Sequence, residues 1–277
     1  MRRVDIRLLA LLLALGLAGC ASAPKPPPEP PLRQQARQAE ASGARRYTDG
    51  LYAAAARHFA EAVRLHQSLD DAPAAARNRL QLAQTWLLLG QPQAALEQAS
   101  QVHEDALQVA ALLLQVQARL ALDQAAHAQA LLQRLQERCP AGCEQRGRVL
   151  LLQARLAWQR ADAAQTVQQA AAAVPLLRAR GEEREVANAL RLLAAAQWQN
   201  HDAPAALAAA QAALVIDRQQ ALPEKIARDW LLIGDIQRRT APGEARAAYE
   251  RAHGVARAAG LQDLARQADQ LLKETSP

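Results

Sequence analysis

Three groups of residues in this chain have types and spacing that could do chemistry. Glu182, Glu183 and Glu185 form an acidic cluster, and paired carboxylates can act as general acid and base. They alternate with Arg180 and Arg184, and the stretch reads as a solvated loop and helix start. Single histidines such as His66, His127 and His201 have no matched acid or nucleophile in local sequence and read as solvated surface residues. The third group is Trp158 and Trp198 with arginines around them, residue types that anchor interfaces rather than break bonds. No HExxH helix, Walker loop, Rossmann glycine fingerprint or GxSxG elbow occurs. The chain is therefore expected not to be an enzyme and to carry no metal or cofactor.

The elements that would position these residues are helices. Half of the chain is apolar but only 3% is aromatic, and alanine, leucine, glutamine and arginine dominate. Those residues favour helix. Threonine, tyrosine, phenylalanine and isoleucine are scarce, which argues against a sheet. A pattern of small residues then recurs. One copy is Gly43, Gly50, Ala55, Phe59 and Ala62, and a second is Ala83, Gly90, Ala95, Ala99 and Val102. Two more run through Ala154, Ala161, Thr166, Ala170 and Ala173, and through Ala194, His201, Ala206, Ala210 and Ala213. The last begins at Gly234, turns at Ala241-Pro242-Gly243, and continues with Ala245, Tyr249 and Ala252. Small residues let the two helices of a hairpin approach, and larger ones fill the groove towards the next hairpin. Residues 107–135 hold one further hairpin, with Asp123-Gln124 near its turn and a register open by about two residues.

This pattern resembles the tetratricopeptide repeat family, best at Trp230, Ile233 and Gly234 with Ala245, Tyr249 and Ala252, and again at Trp86, Gly90 and Ala95. The resemblance covers residues 33–273. It implies an all-α, right-handed solenoid of about six hairpins plus a closing helix near 261–272. The usual period is ~34 residues, whereas starting residues 43 and 83, 154 and 194, and 194 and 234 are each 40 apart. The excess is expected in inter-hairpin loops such as Ser68-Leu69-Asp70-Asp71 and Arg180-Gly181-Glu182-Glu183. An irregular alanine-rich bundle is the alternative.

In the family, the first helix of each pair lines a concave surface. With about 100° per residue, offsets of +1, +4, +5, −3 and −6 from the small packing residue share one arc. In three successive hairpins that arc holds Arg148, Leu151, Arg155, Trp158 and Gln159; Asn188, Arg191, Ala195, Trp198 and Gln199; and Arg228, Leu231, Asp235, Arg238 and Arg239. Arginine grips carboxylates bidentately, so the arc reads as a groove for a peptide with acidic groups. The competing reading packs the tryptophans between hairpins and leaves the arginines solvated.

At the N-terminus, Arg2, Arg3 and Arg7 precede an apolar run and small residues, the form of a secretory signal. Leu17-Ala18-Gly19-Cys20 resembles the bacterial lipobox. The resemblance implies removal of residues 1–19, acyl chains on Cys20 that anchor the rest to a membrane, and a position facing the periplasm. The absence of aspartate after Cys20 leans towards the outer membrane. Residues 20–32, rich in proline, read as a tether; 33–273 are the solenoid and 274–277 a tail. If Cys20 is lipidated, Cys139 and Cys143 remain, and an even pair in an oxidising compartment points to a disulfide, with two free thiols as the alternative. A zinc site would need two more ligands.

The formal net charge is +6, nearer +4 without the first nineteen residues. Export makes nucleic acid a poor partner, and better ones are the membrane surface, cell-wall polymers or acidic protein segments. The whole reads as a lipid-anchored periplasmic adaptor for another protein, serving outer-membrane protein assembly, a pilus secretin or cell-wall machinery. The alternatives are a glycan or lipid carrier, which would need a continuous apolar lining, and a peptidoglycan-active enzyme, which would need a separate catalytic domain.

Overall fold

A computed structural model describes residues 29–275. The signal segment, Cys20, residues 21–28 of the expected tether and residues 276–277 lie outside the described residues.

Thirteen α-helices follow one another among the described residues, paired as antiparallel hairpins. They are α1 (Pro31–Thr48) with α2 (Tyr52–Ser68), α3 (Ala72–Leu88) with α4 (Pro92–Ser100), and α5 (Gln108–Ala121) with α6 (Ala125–Arg138). Then come α7 (Arg146–Gln159) with α8 (Ala163–Arg178), α9 (Glu183–Gln199) with α10 (Ala203–Gln219), and α11 (Pro223–Gln237) with α12 (Pro242–Ala258). The last helix, α13 (Gln262–Glu274), closes the stack. This is the expected solenoid of six hairpins and a closing helix.

Local chemistry sets the helix ends. Pro31, Pro73, Pro92, Pro204, Pro223 and Pro242 stand at first or second helical positions, where a missing N–H costs nothing. Hence α1 begins at Pro31, two residues before the expected boundary. The side chains of Asp71, Asp162 and Asp202 accept hydrogen bonds from the backbone N–H groups of Ala74, Gln165 and Ala205, satisfying otherwise orphaned donors. Most turns close on one residue in the left-handed region. Within hairpins it is Gly50, Gly90, Asp123, Ala161 or His201, and between hairpins Asp70, Gly181, Ala221 or Gly260.

The structure corrects where the extra length lies. The connection at 69–71 has three residues and that at 179–182 has four, so these loops are short. The excess is in the helices: α2, α3, α9, α10 and α12 have 17 residues each. Asp123 also fixes the open register of the third hairpin. Val116, seven residues before it, takes the place of the small packing residue and is fully buried. In the second copy α4 stops at Ser100, so Val102 packs from beyond the helix end. Side chains of α5 hold this segment, Gln115 donating to the Ala99 carbonyl at 3.1 Å and Gln108 to that of Val102 at 2.8 Å.

The repeated small residues work as the pattern requires. A methyl group on Gly43 would come within 2.7 Å of the Phe59 ring, and one on Gly234 would overlap the Tyr249 ring. Each first helix from α3 onward also packs against the first helix of the next hairpin (α3 on α5, α5 on α7, α7 on α9, α9 on α11, α11 on α13). Among the described residues the second helices make no comparable contacts with one another. The first helices therefore form the inner radius of the curve and the second helices the outer one.

Candidate functional site

The inner wall carries a cavity of about 330 Å³ where α7, α9 and α11 meet. Six residues of the sequence-derived arc come together there: Leu151, Arg155 and Trp158 from α7, and Asn188, Arg191 and Ala195 from α9. Leu151, Leu192 and Ala195 supply apolar wall, and Glu185 and Lys225 complete the lining. Trp158 is half-buried at the seam between the fourth and fifth hairpins, with one face on the cavity.

The rest of the arc is dispersed. Arg148 donates to Glu182 at 2.6 Å and tightens the joint between α7 and the loop before α9. Gln159 donates to the Leu120 carbonyl at 2.7 Å, joining the fourth hairpin to the third. Trp198 and Gln199 are exposed one hairpin further on. Arg228 pairs with Glu224 at 3.1 Å and Arg238 with Glu274 at 3.1 Å, while Arg239 is exposed. Leu231 is buried in the core, and Asp235 accepts a hydrogen bond from the Tyr249 hydroxyl at 2.8 Å, so neither faces a ligand.

Several residues outside the arc matter more than sequence reasoning expected. Glu185, read as part of a solvated loop, lines the cavity and accepts from Asn188 Nδ2 at 3.2 Å. Its neighbour Glu182 is largely buried between Arg148 and Arg180. Lys225 stands 40 residues after Glu185, at the same repeat position. Both lie about 40° past one edge of the arc, at an offset of −9 from the packing residue. A wider arc would have found them. His66, read as a surface histidine, is instead buried, with Glu40 and Asp71 each at 3.6 Å from one ring nitrogen.

Electrostatics distinguish the lining groups. Arg155 reaches solvent yet is surrounded by the concave wall, and this desolvation pushes its guanidinium down from its usual value while Glu185 pulls it back. Burial likewise pushes the Lys225 ammonium down, and Arg191 adds to the effect. Arg191 is held from below, donating through Nε to Asp229 at 2.6 Å and through Nη2 to Asp217. On the first hairpin, burial raises the Tyr47 hydroxyl, and the neighbouring Tyr52 adds to the rise. Among the described residues, no group of three or more His, Cys, Asp or Glu could hold a metal ion.

Cys139 and Cys143 are joined by a disulfide with Cα atoms 5.0 Å apart, within the range such a bond needs. It closes the connection between α6 and α7, and Cys139 is fully buried against Leu135 and Val149.

No family model and no curated protein matches this chain. Solved structures do. The Cut9 chain of the APC/C hetero-tetramer Cut9-Hcn1 superposes with a TM-score of 0.68 at 14% identity, over 95% of this chain and 46% of that one. A Rap protein complexed with Competence and Sporulation Factor gives 0.61 at 10% identity, over 87% of this chain and 74% of that one. Both contain tetratricopeptide repeats. The fold is a tetratricopeptide-like solenoid. At these identities the likeness concerns the fold, and this chain spans about half the length of the Cut9 chain.

Proposed function

We propose that this chain is a scaffold that holds another protein in its concave groove, tied through lipid on Cys20 to the inner leaflet of the outer membrane and facing the periplasm. In that position it supports assembly or regulation of an envelope complex. The observation that carries the reading is the inner wall itself. First helices of successive hairpins present Trp158 and Trp198 at equivalent positions 40 residues apart, and Trp158 lines a cavity together with cations and apolar side chains. Tryptophan and arginine supply large contact area and directed polar groups, the composition of interface anchors. Two neighbours of the same fold support the class of function, since one is part of a hetero-tetramer and the other is complexed with Competence and Sporulation Factor. A lining that mixes Arg155, Lys225 and Asn188 with Trp158 suits a peptide better than a lipid chain.

The test compares wild type, a Cys20→Ser chain and a Trp158→Ala, Trp198→Ala chain. Membranes are crosslinked and the captured proteins are identified by mass. The proposal expects a partner captured by wild type and lost from the tryptophan variant, with helical content unchanged. It also expects the Cys20→Ser chain to leave the membrane fraction. Capture unaffected by the tryptophan changes would contradict the groove, and membrane retention of Cys20→Ser would contradict the anchor.

A further inference from the structure

Beneath the cavity lies a charge arrangement that simple scaffolding does not require. Asp217 on α10 and Asp229 on α11 are both fully buried, and the guanidinium of Arg191 serves both. The second carboxylate oxygen of Asp229, Oδ2, has no hydrogen-bond partner. Two buried carboxylates sharing one cation cannot both ionise cheaply, so the pair tends to retain a proton. Burial pushes Asp229 up to about 7, Arg191 opposes the rise, and Asp217 beside it adds to it.

A hydrogen-bonded chain connects this pair to the cavity. Glu185 accepts from Asn188, Asn188 Oδ1 accepts from Arg191 Nη1 at 3.1 Å, and Arg191 reaches both aspartates. The cavity's other cations, Arg155 and Lys225, make no ion pair with any described residue. Of the other charged groups on the packed elements, Arg148 pairs with Glu182, and Arg146, Glu183 and Arg184 lie outside the cavity lining. On α11, Glu224 and Arg228 pair with each other, and on α10 and α12 Arg218 and Arg251 lie over the Trp230 ring. The local set is therefore three cations, Glu185 and the aspartate pair. It carries one net positive charge with a proton in the pair and none without it.

Resting on the scaffold reading, we propose that this cavity binds a carboxylate of the partner, and that the buried Asp217–Asp229 pair takes up a proton as it does so. A carboxylate seated between Arg155 and Lys225 brings negative charge towards the pair, which favours its protonated form. By linkage, a protonated pair favours the carboxylate. The apolar wall of Trp158, Leu151 and Leu192 then takes a neighbouring apolar group of the same segment.

The experiment is calorimetric titration of the full chain in detergent at pH 6 and pH 8, at fixed ionic strength, in two buffers of different ionisation heat. The probes are acetyl-tetraglutamate amide, its glutamine counterpart, and an acetylated tetra-alanine with a free C-terminus. The two acidic probes separate a side-chain carboxylate from a terminal one, and binding of either but not the glutamine peptide supports the site. The expected result is about threefold to tenfold tighter binding at pH 6 than at pH 8, with proton uptake. Lys225→Gln should lose the binding, and Asp229→Asn should retain it without pH dependence. Binding by wild type with no proton uptake would overturn the linkage without any variant having to fold. Failure of every acidic probe would overturn the carboxylate site. A partner still captured by the groove in the crosslinking test would show that the scaffold reading survives that failure.

Discussion

The Tyr249 ring lies directly against Gly234, and its hydroxyl donates to Asp235 at 2.8 Å. The ring is thus held at both ends and cannot swing aside for a larger residue on α11. Gly234→Ala should cost about 1–3 kcal/mol through overpacking. Denaturant unfolding should show a lower midpoint, with Gly43→Ala behaving similarly against Phe59.

The left-handed turns predict the opposite sign. Ala161 and Ala221 have φ of 57° and 51°, where a β-carbon is strained and glycine is not. Gly50 and Gly90 occupy the turns equivalent to Ala161, and Gly181 and Gly260 those equivalent to Ala221. Ala161→Gly and Ala221→Gly should each stabilise the chain by a few tenths to about 1 kcal/mol, the relief of strain exceeding the added unfolded-state entropy. Thermal unfolding of each variant checks this.

Asp229 gives a pH signature. Its carboxyl keeps a proton up to about 7 in the folded chain, against an ordinary value of 3.8. The folded state therefore holds more protons between those values, and stability falls as pH rises through that window. Asp229→Asn should remove the slope. Relative to wild type it should be more stable at pH 8 than at pH 5, by on the order of 1–3 kcal/mol. Unfolding curves for both chains at each pH measure the difference directly, and groups common to both cancel.

The Cys139–Cys143 bond closes a short loop at a sparse joint, since α6 and α7 pack less closely than other consecutive helices. Loop entropy puts its contribution at about 2 kcal/mol. The Cys139→Ala, Cys143→Ala chain should lose roughly that much, and reductant should destabilise wild type but not the double variant.

Much of this molecule was legible in its sequence, for identifiable reasons. Gly43, Ala83, Ala154, Ala194 and Gly234 are small because a second helix crosses there, and close crossing leaves a mark on residue type. The third hairpin hid its register because Val116 replaces the small residue and only the backbone at Asp123 shows the turn. The groove was partly readable. Helical phase brought Arg155, Trp158, Asn188 and Arg191 to one face, but the arc stopped short of Glu185 and Lys225. Asp217 and Asp229 left no sequence signal. Their significance lies in sharing Arg191 across three helices, which no spacing along one helix reveals.

The central claim, that a protein partner occupies the inner wall, is tested most directly by site-specific photo-crosslinking in cells. A photoreactive residue replaces Trp198, exposed on α9, or Val215, exposed on α10. The account predicts a discrete adduct from position 198 and none from position 215. Adducts from 215 but not from 198, or equal labelling at both, would contradict it.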